Sequence, residues 1–398
     1  MRIAYVTETF PPEINGVSLT TARAVHHLRR AGHVVQLIRP RQSHEASRSF
    51  EDTEHPGDHT FDNGEWRTAS APIPMYPGLR FGWATVGALR ERWQQTAPQL
   101  VHVATPGPLA WSALRAAKAE GLPSTADFRT NFHAYSQHYG LGWLQPAVLA
   151  YLRQLHNMAH RTFVPTRSLA DELTARGFQR PSVISRGVDA GLFSPAERDD
   201  GLRDAWGVGP SDRVLLYVGR LTVEKNVSLA LETFEYLRRR HPGLRMVVAG
   251  EGPLRAKLAA AHPDVRFVGV QRASALARCY ASADVFLFPS VTDTFGNVVL
   301  EALASGLAVV AFDSAGAGTL IDHGHDGWLA QLGDRGSFFH AAELALGDSA
   351  LGCALRQRAR MLALRSDWES ALHAFEQQLS TVLAQALSGS QVRDAALA

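Results

Sequence analysis

Two carboxylates, Asp293 and Glu301, bracket the stretch "SVTDTFGNVVLEALASG", where the apolar run "ADVFLFP" hands over to a helix-patterned segment. If that helix starts near Asn297, its unpaired backbone N–H groups and positive dipole end face the loop, a ready seat for an anion. Glu301 then lies one turn in, on the face of Asn297, while Asp293 sits out in the loop. A ligand with a negative centre and hydroxyl groups on either side of it fits this arrangement. Phe295, Gly296 and Asn297, the "FGN" between the two acids, are counted with Glu301 as its binding residues. The plain alternative makes Asp293 a turn residue and Glu301 a solvated helix face.

Four further stretches at expected strand ends suit the same kind of ligand. "TETFPPEINGVS" places Gly16 where the backbone can come close and the following helix presents its N-terminus to a phosphate. A proline-rich loop with a turn glycine explains it equally well. "GRLTVEKN" brings Arg220 and Lys225, a guanidinium and an ammonium suited to a diphosphate leaving group, against the reading of a solvated loop. In "AGEGPLRAKL", Gly250 and Gly252 free the backbone for a tight turn and Glu251 caps or contacts a ligand. "VRFVGV" offers the backbone N–H and C=O around Val268 and Val270 to a nucleobase edge, or simply ends a strand. Five such stretches in one chain favour a shared ligand over five unrelated turns.

Short apolar runs alternate with longer helix-patterned segments throughout. Strands are expected at "RIAYV", "VVQLI", "QLVHV", "STADF" and "TFVP" in the first half, and at "RVLLYV", "LRMVVAG", "VRFVG", "DVFLFP" and "LAVVAF" in the second. Fully apolar strands separated by helices indicate parallel sheets covered on both faces, an α/β fold. Two doubly wound domains are expected, facing each other so that the ligand loops at their strand ends surround one cleft. The boundary is expected within "RGVDAGLFSPAERDDGLRDAWGVGPSD", rich in glycine, proline and charge with little apolar periodicity. This assigns 1–195 to the first domain, 196–370 to the second, and 371–398 to a C-terminal helix and tail packing back on the first. The polar segment 46–66 reads as a surface excursion.

A chain of 398 residues is too long for one core, and 45% hydrophobic with 20% charged residues describes a globular protein. A net charge of +2 argues against a dedicated nucleic-acid binder. Cys279 and Cys353 show no metal-type spacing and no disulfide framework, which suits a reducing cytoplasm. The start "MRIAYVTETF" lacks the form of a signal peptide, and no apolar run reaches about 18 residues. The stretch "LGWLQPAVLAYLRQLHNMAHR" carries Leu141, Trp143, Leu144, Val148, Leu149, Leu152 and Leu155, with Arg153 and Arg161 nearby. It reads either as a helix packing on its own domain or as a face lying on an anionic membrane.

These motifs, "TETFPPEINGVS", "RGVDAGLFSP", "GRLTVEKNVSLAL", "GEGPL" and "PSVTDTFGNVVLEALASG", run from residue 7 to residue 306. In them the chain resembles the retaining glycosyltransferases of the GT-B fold classed as glycosyltransferase family 4. It is most similar in flavour to bacterial α-mannosyltransferases and enzymes that glycosylate lipids. The resemblance implies two Rossmann-like domains, the C-terminal one holding a nucleotide-diphosphate sugar (GDP-mannose or a UDP-hexose). A lipid or saccharide acceptor is implied at the N-terminal one, in the cytoplasm or against the inner face of the membrane. By the same resemblance Arg220 and Lys225 bind the donor diphosphate, Glu301 holds the ribose hydroxyls, Asp293 faces the transferred sugar and Gly16 closes over the donor.

Three positions depart from the family pattern. Its first acid is usually glutamate, one methylene longer than Asp293. Where many members carry a histidine after the strand "STADF", this chain has Arg129-Thr130, with His133 four residues on as a candidate catalytic substitute. Thr319 stands where a glutamate is common. No second acid stands out as a covalent nucleophile, so a front-face, oxocarbenium-like displacement is favoured, with the departing diphosphate taking the acceptor's proton. Arg220, Lys225 and the helix start at Asn297 would neutralise that leaving group, so no divalent metal or further cofactor is expected. Competing readings are a nucleotide-sugar epimerase of the same fold and an inactive sugar-binding homologue. An NAD-dependent oxidoreductase is weak, because "FDSAGAGTL" lacks a third glycine and the following acid.

Overall fold

The apolar runs assemble into two separate sheets. The computed structural model describes residues 1–13, 15–42, 64–73, 76–129, 145–210, 212–291, 293–347 and 350–397. The chain divides into two compact units, one of Met1–Thr130, Pro146–Ile184 and Leu372–Ala398, the other built on Ser185–Ala371.

The first unit carries β1 (Arg2–Val6), β2 (Val34–Pro40), β3 (Glu65–Ile73), β4 (Tyr76–Trp83), β5 (Leu100–Val103), β6 (Ser124–Asp127), β7 (Arg161–Val164) and β8 (Pro181–Val183). They lie in the order β4-β3-β2-β1-β5-β6-β7-β8. Every neighbouring pair is parallel except β3–β4, an antiparallel hairpin at the edge. Ile3, Ala4 and Tyr5 of β1 are fully buried, as a central parallel strand covered on both faces must be. Helices α1 (Gly16–Arg30), α2 (Pro108–Ala119) and α3 (Gln145–Met158) supply cover. Asn15 caps α1 by accepting a hydrogen bond from Ser18 N at 2.8 Å.

The second unit carries β9 (Arg213–Val218), β10 (Leu244–Ala249), β11 (Arg266–Gly269), β12 (Val285–Phe288), β13 (Ala308–Phe312) and β14 (Trp328–Ala330). Their order is β11-β10-β9-β12-β13-β14, all parallel. Each strand order reverses once, between β1 and β5 in the first sheet and between β9 and β12 in the second. At such a reversal the loops leaving the two strand ends splay apart and leave a crevice for a ligand. Two helices matter for that crevice in the second unit, α4 (Asn297–Ala304) and α5 (Ala315–Leu320).

The final helix, α5's distant successor α6 (Trp368–Leu397), sends Phe375, Leu379 and Val382 into a cluster with Ile3, Tyr5, Leu28 and Leu37. At about 1.5–3 kcal/mol for each large apolar side chain buried, this helix is part of the first unit's core.

Every strand expected from an apolar run is present. β3, β4, β8 and β14 were not foreseen; β3, with charged, small and proline residues, lacks a continuous apolar run. The segment expected to hold the domain boundary packs on the second unit. Val188, Phe193, Trp206 and Val208 enter the second unit's core, so the division falls at Ile184/Ser185, upstream of residue 195. Most of the polar segment 46–66 lies outside the described residues. In α3, Leu152 and Leu155 are buried, and Val148 and Leu149 pack against the cluster that holds Phe128, Leu169 and Leu173. The apolar face of α3 is thus spent on its own domain, while Leu141, Trp143 and Leu144 lie outside the described residues. Among the described residues, no helix is long and apolar enough to cross a membrane.

Candidate active site

Leu215 and Leu216 of β9 pair with Val285 and Phe286 of β12, so the loops that follow these strands leave the sheet side by side. The β9 loop carries Arg220 and Lys225; the β12 loop carries Asp293. Lys225 Nζ donates to Asp293 Oδ1 at 2.5 Å, joining two motifs 68 residues apart. Both side chains are mostly shielded, 15% and 22% exposed. Burial pushes the Asp293 carboxyl up, but the Lys225 charge and hydrogen bond, Ser290 and the Arg220 charge outweigh it and hold the carboxyl below its usual range. Asp293 is therefore an ionised acceptor at neutral pH. Its Oδ2 and the nearby Ser290 hydroxyl are sequestered without a well-aligned hydrogen-bond partner, although Ser290 lies close enough to favour the carboxylate.

The β9 loop is braced from beneath. Glu224 is fully buried, accepts from the Thr222 hydroxyl at 2.7 Å and lies 3.7 Å from Arg220 Nη2. The Tyr217 hydroxyl donates to the Arg220 carbonyl at 3.1 Å. Burial, with the charges of Asp293 and Glu224 beside it, pushes the Tyr217 phenol well up and keeps it a neutral donor. Asn226, at φ +51°, donates from its side chain to the Pro289 carbonyl at 3.3 Å, pinning the loop to the end of β12. The Arg220 guanidinium itself stays 41% exposed.

The β12 loop ends where α4 begins, at Asn297 as the sequence indicates. Gly296 adopts φ +77° just before it, a left-handed turn that places the chain against the Phe288 ring. The N-cap residue, Gly296, has no side chain to cap this N-terminus, and the first turn holds no acid, so its N–H groups and dipole suit an anion. Glu301, one turn on, accepts a hydrogen bond from the buried Tyr280 hydroxyl at 3.0 Å. Phe295 is 5% exposed and belongs to the core, so any ligand contact it makes is through its backbone.

Two expectations change in character. Gly250 is needed because a Cβ there would collide with the Gly219 carbonyl; it lets the loops after β9 and β10 touch. Gly316 of α5 meets the Phe295 backbone in the same way and buttresses the β12 loop. The Val268 carbonyl already accepts from Gln271 Nε2 at 2.6 Å, which leaves its second lone pair for a nucleobase donor. Val270 is exposed beside it.

Gly16, the exposed first residue of α1, belongs to the first unit. His133 lies outside the described residues. Arg129 is buried in a structural network: Nε donates to Asp127 Oδ2 at 2.6 Å, Nη1 to Thr21 Oγ1 at 3.2 Å and Nη2 to Tyr5 Oη at 3.4 Å. Sequence reasoning missed Glu8, at the strand reversal of the first sheet. Its carboxylate accepts from Gly82 N at 2.5 Å and Leu109 N at 3.0 Å, tying the ends of β1 and β4 to the start of α2. Burial pushes the carboxyl up to about 7, against the lowering effect of these backbone bonds. Its position in "TETF", directly after a central strand, was the available signal.

The chain as a whole is similar to several known proteins. Residues 14–192 match the family model "Glycosyltransferase Family 4", and residues 212–348 match "Glycosyl transferases group 1". The chain is 37% identical to a GDP-mannose-dependent alpha-mannosyltransferase of Mycolicibacterium smegmatis, over 81% of this chain and 82% of that one. It is 32% identical to a protein of the same name from Corynebacterium glutamicum, over 88% and 81%. Among solved structures, Anabaena HepE in complex with UDP superposes with a TM-score of 0.74 at 17% identity, covering 96% of this chain and all of that one. Sucrose-phosphate synthase from Thermosynechococcus elongatus gives 0.76 at 16% identity, over 96% and 99%. These two likenesses establish the GT-B fold.

Proposed function

The chain belongs to glycosyltransferase family 4 and is a hexosyltransferase, and we propose that it moves mannose from GDP-mannose to a lipid or saccharide acceptor of the cell envelope, with retention at the anomeric carbon. The observation that carries this reading is the Lys225–Asp293 pair beside Arg220 at the strand reversal of the second sheet. It sets a cationic pair for a diphosphate next to a carboxylate for sugar hydroxyls. The donor is taken from the relatives named for GDP-mannose.

In the proposed reaction the bond from the sugar C1 to the diphosphate oxygen breaks, and the acceptor oxygen bonds to C1 on the same face. The acceptor's proton passes to the departing diphosphate. Arg220, Lys225 and the uncapped start of α4 offset the charge that grows on that leaving group. Asp293, held ionised, accepts from sugar hydroxyls and has no proton to give. Glu301 takes the ribose. This chemistry asks for no divalent metal at the diphosphate. Peripheral contact with the inner membrane surface would follow from a lipid acceptor rather than from α3.

The test is thermal shift with GDP-mannose, UDP-glucose and UDP-galactose, followed by nucleotide release with and without candidate acceptors. GDP-mannose is expected to stabilise most, with release that depends on the acceptor. Stabilisation by UDP-sugars alone would refute the donor. Nucleotide release indifferent to every acceptor would refute the transfer.

A further inference from the structure

A second constellation of chemically capable side chains lies in the first unit, formed by residues far apart in sequence. His27, in the last turn of α1, meets His373 and Glu376 on α6. His373 and Glu376 are three residues apart on one helix and so share a face. His27 Nε2 lies 2.9 Å from Glu376 Oε2, and His373 Nδ1 lies 3.8 Å from the same oxygen. One donor atom from each of the three falls within 4.8 Å of the others.

We propose that His27, His373 and Glu376 form a binding site for a divalent transition metal of the zinc class, clasping the C-terminal helix to the first helix. Zinc takes imidazole nitrogen and carboxylate oxygen at about 2.0–2.2 Å in a tetrahedron, which puts neighbouring donors about 3.3 Å apart. The separations of 2.9 and 3.8 Å bracket that value and the two imidazole nitrogens lie within 4.8 Å of each other, so rotation of the exposed His373 side chain closes the set. Two imidazoles and one carboxylate are a borderline-hard set that zinc, cobalt and nickel accept. His27 and Glu376 are 15% and 21% exposed while His373 is 58% exposed, so the site opens on the His373 side and water completes the tetrahedron.

A supporting contact of the usual kind is present. His33 Nε2 lies 2.8 Å from Glu376 Oε1, the oxygen that the metal does not need. That bond fixes the carboxylate plane and directs Oε2 toward the two histidines. The ring of His27 also meets that of His373 edge-on, with centroids 5.0 Å apart, so the two imidazoles are already gathered. None of these residues belongs to the donor site, and the inference stands apart from the sugar chemistry.

The test is zinc titration by calorimetry on chelator-treated, tag-free full chain, with His373→Ala and Glu376→Gln alongside. One zinc per chain at micromolar or tighter affinity is expected for the wild type, weakened at least a hundredfold in both variants. Cobalt should give the intensified visible absorption of a tetrahedral site in the wild type and not in His373→Ala. Zinc should raise the unfolding temperature of the wild type only. No stoichiometric uptake by the wild type overturns the proposal, and so does uptake unchanged in His373→Ala, whose exposed position makes loss of folding no excuse.

Discussion

Replacing Glu301 with alanine has two separable consequences, because its carboxylate faces a buried phenol on one side and, in the proposed complex, a ribose on the other. The Tyr280 hydroxyl donates to Glu301 Oε2 at 3.0 Å and the tyrosine is fully buried among aromatic rings. Removing the acceptor leaves that hydroxyl unpaired, which costs about 1–3 kcal/mol, toward the lower end here because the half-buried carboxylate leaves room for water. The ribose contact is a hydrogen bond to a charged group, about 1.5–3 kcal/mol. GDP affinity should therefore fall about tenfold to a hundredfold, at about 1.4 kcal/mol per factor of ten. Tyr280→Phe is the control: it removes the phenol but leaves the carboxylate, so about 1 kcal/mol of stability is lost with little change in GDP binding. Calorimetric titration with GDP, paired with denaturant unfolding of all three proteins, reads both effects. A folded Glu301→Ala protein that binds GDP like the wild type refutes the ribose assignment. Equal loss of affinity in Tyr280→Phe would make Glu301 an anchor for the helix rather than a ligand contact.

Lys225→Ala is expected to lower kcat about a hundredfold while raising the donor KM much less, because leaving-group charge develops as the glycosidic bond breaks; normal turnover at saturating donor would contradict it. Asp293→Asn should abolish most transfer while sparing GDP binding, and Asp293→Glu should shift the preference among GDP-mannose, UDP-glucose and UDP-galactose, since a site built for one hydroxyl arrangement rejects others. Full activity of Asp293→Asn on the best donor would leave Asp293 a turn residue. Glu8 gives a pH effect: with its carboxyl raised from 4.5 to about 7, the cost of ionising it in the folded state is absent below 4.5, grows as pH rises and is complete above 7. That cost is about 3 kcal/mol at 1.36 kcal/mol per pH unit over the rise from 4.5 to about 7. Glu8→Gln should thus flatten the decline in unfolding free energy between pH 5 and 8, and parallel profiles for the two proteins would refute it.

Much of this protein is decided locally. Strands such as "VFLF" and "AVVAF" are legible because a parallel strand buried on both faces must be apolar at every position. The start of α4 is legible because a glycine able to take φ +77° precedes it. Arg220, Lys225, Asp293 and Glu301 could be named from their motifs because charge beside glycine at a strand end is conspicuous. Their partners could not. That Lys225 meets Asp293 follows from β9 lying beside β12, a matter of strand order that no local stretch encodes. Tyr280, Glu224 and Glu8 are ordinary residues in sequence, and become structural supports only because burial gives each a particular polar neighbour. Gly250 shows the difference most plainly. Its lack of a side chain announces a turn, but the reason for it is the Gly219 carbonyl across the loop, which only the packed sheet brings there. Short-range sterics and the need to bury apolar surface act on neighbours in the chain, whereas hydrogen bonds and charges act on neighbours in space, and it is the second set that makes the site.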